Sequence, residues 1–365
     1  MRDKIIGSLL GLAAGDCLGA PVEGQAPGEI RRHFGVLRDF QFDAPIWTDD
    51  TQQALVLVEA TVRTGRPDPE WVGRRFVEMS HPRTRGFGCH RGTGRGFRAS
   101  VDAFEADGDW RTSGQLDRAG NGAAMRIAPV GAALHRLEDR EFVRTITEVS
   151  MLTHREPRSI AGALAVARLA AQLVDEPAYP LRESRATALL GGLADWLREC
   201  ESWLAASFPE LRAYRGDAGD LSRVLGRLHE RWGDGWPSLE QEIVSFASAR
   251  QGERTYATAG YVLCSVPTAI LQVLLARDSL EEALIRTVNF GGDADTVAAM
   301  VGGMAGAAAG EKAIPPRWRS FAGHDELFAW AAALATHASG QPVDVSDLPE
   351  LVALERDLCA RLWGT

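Results

Sequence analysis

Two stretches far apart in the chain carry the same chemical design. WTDDTQQALVLVEA, from Trp47 to Ala60, sets Thr48, Asp49 and Asp50 at the head of an apolar run; NFGGDADTVAAMVGGMAGAAAG, from Asn289 to Gly310, sets Asp293, Asp295 and Thr296 ahead of a run of small residues. Each has an ordinary structural explanation, since Thr and Asp cap helices and acidic residues in a first turn complement the helix dipole. Capping accounts well for one carboxylate at each start and less well for two, and it gives no reason for the design to occur twice. If the two starts converge, four carboxylates share a pocket. They stay ionised in a shielded site only if positive charge compensates them; otherwise their pKa values rise. Two divalent cations supply that charge, and carboxylate and hydroxyl oxygens suit magnesium or manganese rather than zinc. Such a pair orients vicinal hydroxyls or phosphate oxygens and polarises a water.

Other candidates are individually weaker. Gly120, Asn121 and Gly122 form a turn signal before a helix-like AAMRIAPVG, where amides freed by small residues can cradle phosphate. Arg126 in that segment is expected to pair structurally with an acidic neighbour. His154, within THREP, reads equally as a satisfied histidine at a helix start. The loop from Arg85 to Phe97 is glycine-dense and cationic, which by itself indicates only solvated flexibility. Asp16, set among Gly15, Leu18 and Gly19, is expected to hold a turn or helix end. Five cysteines without a C-x-x-C pair suggest reduced thiols in a cytoplasmic protein, and the scattered histidines offer no zinc site.

The elements that must position these residues are helical. Apolar residues recur at helical spacing over Ile160–Val174, Leu189–Leu204, Leu221–Trp232, Leu280–Val288 and Leu327–His337. The best strand signal is the short VLRDFQF at Val36 to Phe42. An all-α protein follows, arranged as one compact domain over residues 1–365, with the stretch from Glu176 to Gln251 as helical scaffold. Glycines inside apolar helices, as in VGGMAGAAAG at Val301 to Gly310, imply helices packed at close approach. The apolar amino terminus is expected to be a buried first helix rather than a secretory signal. The uncharged stretch from Thr255 to Ala276 is diluted by polar residues and interrupted by Pro267; it reads as a helix buried on all sides, not a membrane span. With 49 acidic against 40 basic residues the net charge is −9, which argues against nucleic acid as the primary ligand. No membrane association is expected, and the chain is expected to act as a monomer.

Five blocks in order, GSLLGLAAGDCLGAPVEG near the start, WTDDTQQAL, GNGAAMRIAPVG, THREP and NFGGDADTVAAMVGGMAGA, resemble the ADP-ribosylglycohydrolase family over essentially the whole chain. The resemblance implies an all-α fold with a binuclear magnesium or manganese site at the base of an ADP-ribose cleft. Thr48, Asp49, Asp50, Asp293, Asp295 and Thr296 would be its ligands. Glu23 would be the general acid or base, with Asp49 and Asp50 sharing in catalysis. Asn121, Gly122 and Ala123 would hold the diphosphate, His154 the ribose or phosphate region, and Gly86, Phe87 and Gly88 the cleft wall beside the distal ribose. The implied reaction is metal-dependent cleavage at C1 of that ribose, freeing ADP-ribose from a protein side chain or small molecule. The sequence also departs from its relatives. No acidic residue stands between Glu78 and Asp102, where the arginine-specific bacterial branch has an aspartate; Cys89 or His90 stands there instead. Arg118 and Ala119 replace a hydroxyl residue often found before the Gly-Asn-Gly turn. An ADP-ribose sensor and a phosphohydrolase of the diphosphate are the competing expectations.

Overall fold

The computed structural model describes residues 1–84, 86–211, 214 and 216–363; Arg85, at the head of the glycine-rich loop, lies outside them. Among the described residues the chain forms seventeen α-helices and no strand. The first seven are α1 (Arg2–Gly19), α2 (Pro27–Phe34), α3 (Asp49–Thr64), α4 (Pro69–Met79), α5 (Arg95–Asp107), α6 (Trp110–Ser113) and α7 (Ala128–Ala133). Then come α8 (Asp139–Met151), α9 (Pro157–Val174), α10 (Glu183–Ser207), α11 (Asp220–Glu230) and α12 (Trp236–Gln251). The last five are α13 (Val262–Leu274), α14 (Leu280–Val288), α15 (Ala294–Ala309), α16 (His324–Ala338) and α17 (Leu351–Trp363). The periodic segments read from the sequence fall in α9, α10, α11, α14 and α16.

At the centre α1 runs antiparallel along α15. Glycine recurs every fourth residue on α1, and this strip lies on main chain. A Cβ at Gly11 would stand 2.3 Å from the Gly302 carbonyl oxygen, one at Gly15 2.2 Å from that of Ala298, and one at Gly19 2.5 Å from the Asp295 amide nitrogen. Glycine costs a helix about 1 kcal/mol relative to alanine; here dense contact between two largely apolar helices offsets it. The α1 segment is long and apolar enough to cross a membrane, yet nearly all of it is buried inside the protein. Every residue of α13 is likewise buried, and the residues before Val262 form the loop that leads into it.

The short strand signal at Val36–Phe42 produces no strand, in keeping with the all-α expectation. The Asn289 side chain takes over the backbone pairing of Leu37, accepting from its amide at 3.0 Å and donating to its carbonyl at 2.9 Å. All five cysteines are buried. At the far end of the chain, Glu355 on α17 is fully buried and accepts from Trp47 Nε1 at 3.0 Å and Gln52 Nε2 at 2.6 Å, while pairing with Arg91 at 2.8 Å. One carboxylate thus fixes both the approach to α3 and the end of the glycine-rich loop.

Candidate active site

Asp16, buried on α1, accepts hydrogen bonds from the first turn of α3. The Thr48 amide reaches both carboxylate oxygens at 3.0 Å, the Thr48 hydroxyl reaches Oδ1 at 2.8 Å, and the Thr51 amide and hydroxyl reach Oδ2 at 3.1 and 2.6 Å. Thr48 occupies the N-cap position, but its side chain makes no capping bond. Because the cap comes from another helix, Asp49 and Asp50 are released to face inward.

The start of α15 behaves in the same way. Asp293 stands at its N-cap position without capping it; its Oδ2 accepts from Asn121 Nδ2 at 2.6 Å. The two helix starts meet. Carboxylate oxygens of Asp16, Asp50 and Asp295 lie within 4.8 Å of one another, as do those of Glu23, Asp293 and Asp295, so Asp295 belongs to both groups. The Thr48 and Thr296 hydroxyl oxygens lie 3.2 and 3.4 Å from Asp50 Oδ2. Asp50 Oδ1 is buried with no hydrogen-bond partner. A buried anionic oxygen without a donor is costly in isolation and is satisfied by a cation. Loss of hydration on burial raises the pKa values of Asp16, Asp50 and Asp295. Burial, with the charge of Asp16 next in weight, pushes Asp49 up to about 8, and burial pushes Asp293 up to about 6. The cluster either holds protons or holds cations, and its hard oxygen donors fit magnesium or manganese.

A polar chain runs away from this cluster. Gln53 Nε2 donates to Asp49 Oδ2 at 2.8 Å, and Gln53 Oε1 accepts from Arg126 at 2.5 Å. The other arm of Arg126 donates to Thr153 Oγ1 at 2.7 Å, and Thr153 Oγ1 lies 2.8 Å from His154 Nδ1. Arg126 is therefore held by neutral oxygens, not by the acidic neighbour its sequence context suggested; burial lowers its pKa to about 9. The Thr153 hydroxyl can donate to His154 Nδ1, the arrangement in which the neutral imidazole carries its proton on Nε2. Burial, with the Arg126 charge adding to it, lowers the His154 pKa to about 3, so the ring is neutral. That ring packs against the Gly-Asn-Gly turn, where a Cβ at Gly122 would lie 2.8 Å from His154 Cε1. The turn is pinned by Ser159 Oγ donating to the Gly120 carbonyl at 2.8 Å. The amides of Gly122 and Ala123 donate to no backbone acceptor among the described residues, and an antiparallel bridge pairs Gly120 with Tyr261.

These parts surround a cleft of about 450 Å³ whose lining includes Glu23, Asp49, Asp50, Asp293, Asp295 and Thr296 with Asn121, Gly122 and His154. Ala123 is buried behind the turn. Glu23 is exposed at the rim, and the loop after it is fixed by Gly24 N to Gly292 O at 2.7 Å and Gly292 N to Gln25 O at 2.9 Å. Gly86, Phe87 and Gly88 are not among the lining residues. A Cβ at Gly88 would meet the Met79 carbonyl at 2.1 Å, and Phe87 is buried against His90 and Phe97. Gly92 and Gly94, further along the same loop, and Gly96 and Phe97 in the first turn of α5 line the cleft instead. Gln53, Arg118, Tyr256 and Gly260 also line the cleft and were not singled out as ligand contacts from the sequence. The TDDTQQ motif offered the signal for Gln53, one turn after Asp49; Tyr256 and Gly260 arrive through the fold of the loop before α13.

The model of the family described as ADP-ribosylglycohydrolase matches residues 1–343. The chain belongs to the ADP-ribosylglycohydrolase family. An ADP-ribosyl-[dinitrogen reductase] glycohydrolase of Rhodospirillum rubrum is 28% identical to it over 332 residues, covering 88% of this chain and 90% of that protein. The ADP-ribosylhydrolase ARH3 of Homo sapiens is 27% identical over 342 residues, covering 88% and 89%. Among solved structures, a chain of an ADP-ribosylglycohydrolase-related protein complex aligns with a TM-score of 0.65 at 27% identity, covering 92% of this chain and 98% of that one. Membership of the ADP-ribosylglycohydrolases supports hydrolase activity. Within this family member the acid-free loop puts no substitute base in the cleft. His90 is buried with Nε2 2.9 Å from the Phe76 carbonyl, and burial lowers its pKa to about 4. The Cys89 thiol donates to the Met79 carbonyl at 3.4 Å, and burial raises its pKa to about 12.

Proposed function

We propose that this protein is a divalent-cation-dependent hydrolase that cleaves the glycosidic bond at C1 of the distal ribose of an ADP-ribosyl group and releases ADP-ribose. The observation that carries this reading is the pair of carboxylate groups sharing Asp295 on the cleft floor, beside the unpartnered Asp50 Oδ1. Thr48, Asp49, Asp50, Asp293, Asp295 and Thr296 would hold two magnesium or manganese ions. Bound there, the ions would neutralise the carboxylates and polarise a water and the ribose hydroxyls.

The chain's own groups do the rest. The amides of Gly122 and Ala123, with the Nε2 proton of His154, supply donors for the diphosphate. Gln53 and Arg126 hold Asp49 and His154 in register. Glu23, at the rim beside Asp293, moves the proton that hydrolysis requires, either from the water or to the departing atom. The cleft's acidic groups come from α3, the start of α15 and the Glu23 loop, so the mechanism draws nothing from Cys89 or His90.

The test is chromatographic detection of free ADP-ribose from ADP-ribosyl-arginine and ADP-ribosyl-serine peptides, with magnesium or manganese. Release that chelator and Asp49→Ala both abolish supports the proposal. Appearance of AMP would replace it with phosphohydrolysis, and binding of ADP-ribose without turnover of either peptide would replace it with a sensor.

A further inference from the structure

The stretch of this chain that matches the family ends at residue 343, and α17 lies beyond it. The helix is nevertheless built into the core: Leu351, Val352 and Leu358 are buried, and Trp330 Nε1 donates to the Pro349 carbonyl at 3.2 Å just before it. On its buried face stands Glu355. A carboxylate withdrawn from water anchors a helix no better than a well-packed apolar side chain, because desolvation offsets its pairing. Docking of α17 therefore gives no reason for a charge at this position, and the reason lies in what the charge holds.

Glu355 stands behind the cleft and is not among the residues that line it. Its Oε1 accepts from Trp47, and its Oε2 accepts from Gln52 and pairs with Arg91. Those three residues are also tied to one another and to the glycine-rich loop. Arg91 Nε donates to the Trp47 carbonyl at 2.9 Å, the Arg91 amide donates to Gln52 Oε1 at 2.9 Å, and Gln52 Nε2 donates to the Cys89 carbonyl at 3.0 Å. Trp47 precedes Thr48 and Asp49 in the chain, and Arg91 precedes Gly92, which lines the cleft. A Cβ at Gly92 would stand 2.8 Å from Asp49 Oδ1, so the main chain of the loop lies directly against that carboxylate. Glu355 thus grips the residue before the α3 start and the residue before Gly92 at once.

Resting on the hydrolase reading, we propose that Glu355 is a positioning residue: through Trp47 and Arg91 it fixes Asp49 against Gly92, and cation binding at the acidic cluster depends on the helix that carries it. It touches neither cation nor substrate. The carboxyl-terminal helix is thereby part of the support of the site.

The test compares the full chain with two variants, Glu355→Gln and Val352→Ala. The second removes buried apolar volume from the same helix without removing a bond to Trp47, Gln52 or Arg91, and so controls for lost stability. Calorimetry with manganese reads the cluster: Glu355→Gln binds about tenfold or more weakly, the loss typical of a group that supports a metal ligand, while Val352→Ala binds as the wild type does. Hydrogen exchange in chelator reads position: the amides of Thr48, Thr51 and Arg91 exchange about tenfold faster in Glu355→Gln than in Val352→Ala. Wild-type manganese affinity in Glu355→Gln, an equal loss in both variants, or unaltered exchange overturns the proposal. If the wild type binds no manganese, the cation-dependent reading falls, and exchange alone decides whether Glu355 positions the start of α3. Should Glu355→Gln fail to fold, the double variant Arg91→Met, Glu355→Leu leaves no buried charge unpaired, and the same two measurements on it carry the same outcomes.

Discussion

Asp16 and Thr51 meet through two hydrogen bonds to one carboxylate oxygen, so that a side chain on α1 caps a helix beginning more than thirty residues later. Removing that carboxylate leaves buried donors at the start of α3 without an acceptor. Asp16→Ala should lower stability by about 2–4 kcal/mol, and Asp16→Asn, which keeps one acceptor oxygen, by less. Urea denaturation of the cation-free protein reads both. An Ala variant that unfolds at the wild-type midpoint would show that Asp16 does not hold α3.

The acidic cluster makes stability depend on pH in an unusual sense. Unfolded aspartates titrate near 4, whereas burial raises Asp293 to about 6 and Asp49 to about 8 in the folded protein. The folded state therefore binds more protons across this window. The contribution of these groups is fully present below about pH 4 and is lost as pH rises through about 6 and about 8. Cation-free protein should lose Tm between pH 5.5 and 8. Magnesium or manganese should restore it, more at pH 8 than at pH 5.5, because cations bind the deprotonated form. A Tm that climbs with pH in chelator and ignores both metals would be incompatible with this account.

The contact between α1 and α15 leaves no room for a methyl group. Gly11→Ala would force a Cβ against the Gly302 carbonyl, and Gly302→Ala one against that of Gly11 at 2.0 Å. Each should destabilise by about 1–3 kcal/mol or more, since backbone cannot rotate aside. Gly192, on α10, has open space where its Cβ would be, so Gly192→Ala should be neutral or stabilising by about 0.5–1 kcal/mol. Thermal melts of the three variants side by side make the comparison, and equal behaviour would deny the close packing.

Gln53 joins Asp49 to Arg126, so Gln53→Ala leaves both buried groups short of a partner. Losses of about 10–100-fold are typical when a group supporting a metal ligand is removed. A fall of that size in kcat/KM for ADP-ribose release is expected, with the Tm measured alongside to separate misfolding from misplacement. Unchanged turnover would mean that Asp49 needs no help from this chain of hydrogen bonds.

What the sequence made legible were groups whose neighbours in the chain are also their neighbours in space. Thr48, Asp49 and Asp50 sit on one helix start and Asp293, Asp295 and Thr296 on another, and the convergence on which the charge argument was conditional is present in the structure. Helical periodicity located α9, α14 and α16 for the same reason. The glycine-rich loop was harder, because nothing in a run of glycines marks which end turns inward: Phe87 is taken up by the aromatic contacts of His90 and Phe97, and the wall passes to Gly92 and beyond. Asp16 could be read as a hydrogen-bonding residue, but not that α3 was its target. Tyr256 left no mark at all, since it is placed by a loop. Val36–Phe42 shows the reverse case, where a local strand preference yields to one asparagine side chain from the other end of the chain.

The pairing of α1 with α15 also bears on how the protein is made. The glycine strip on α1 fits the main chain of a helix that begins at Ala294, so on a ribosome the partner emerges only after most of the chain has been synthesised. Until then an 18-residue apolar helix near the amino terminus lacks its principal cover. Contacts this distant in sequence form late because a long loop must close before they are rewarded. The nascent chain therefore carries an apolar first helix without its main packing partner until α15 has been made.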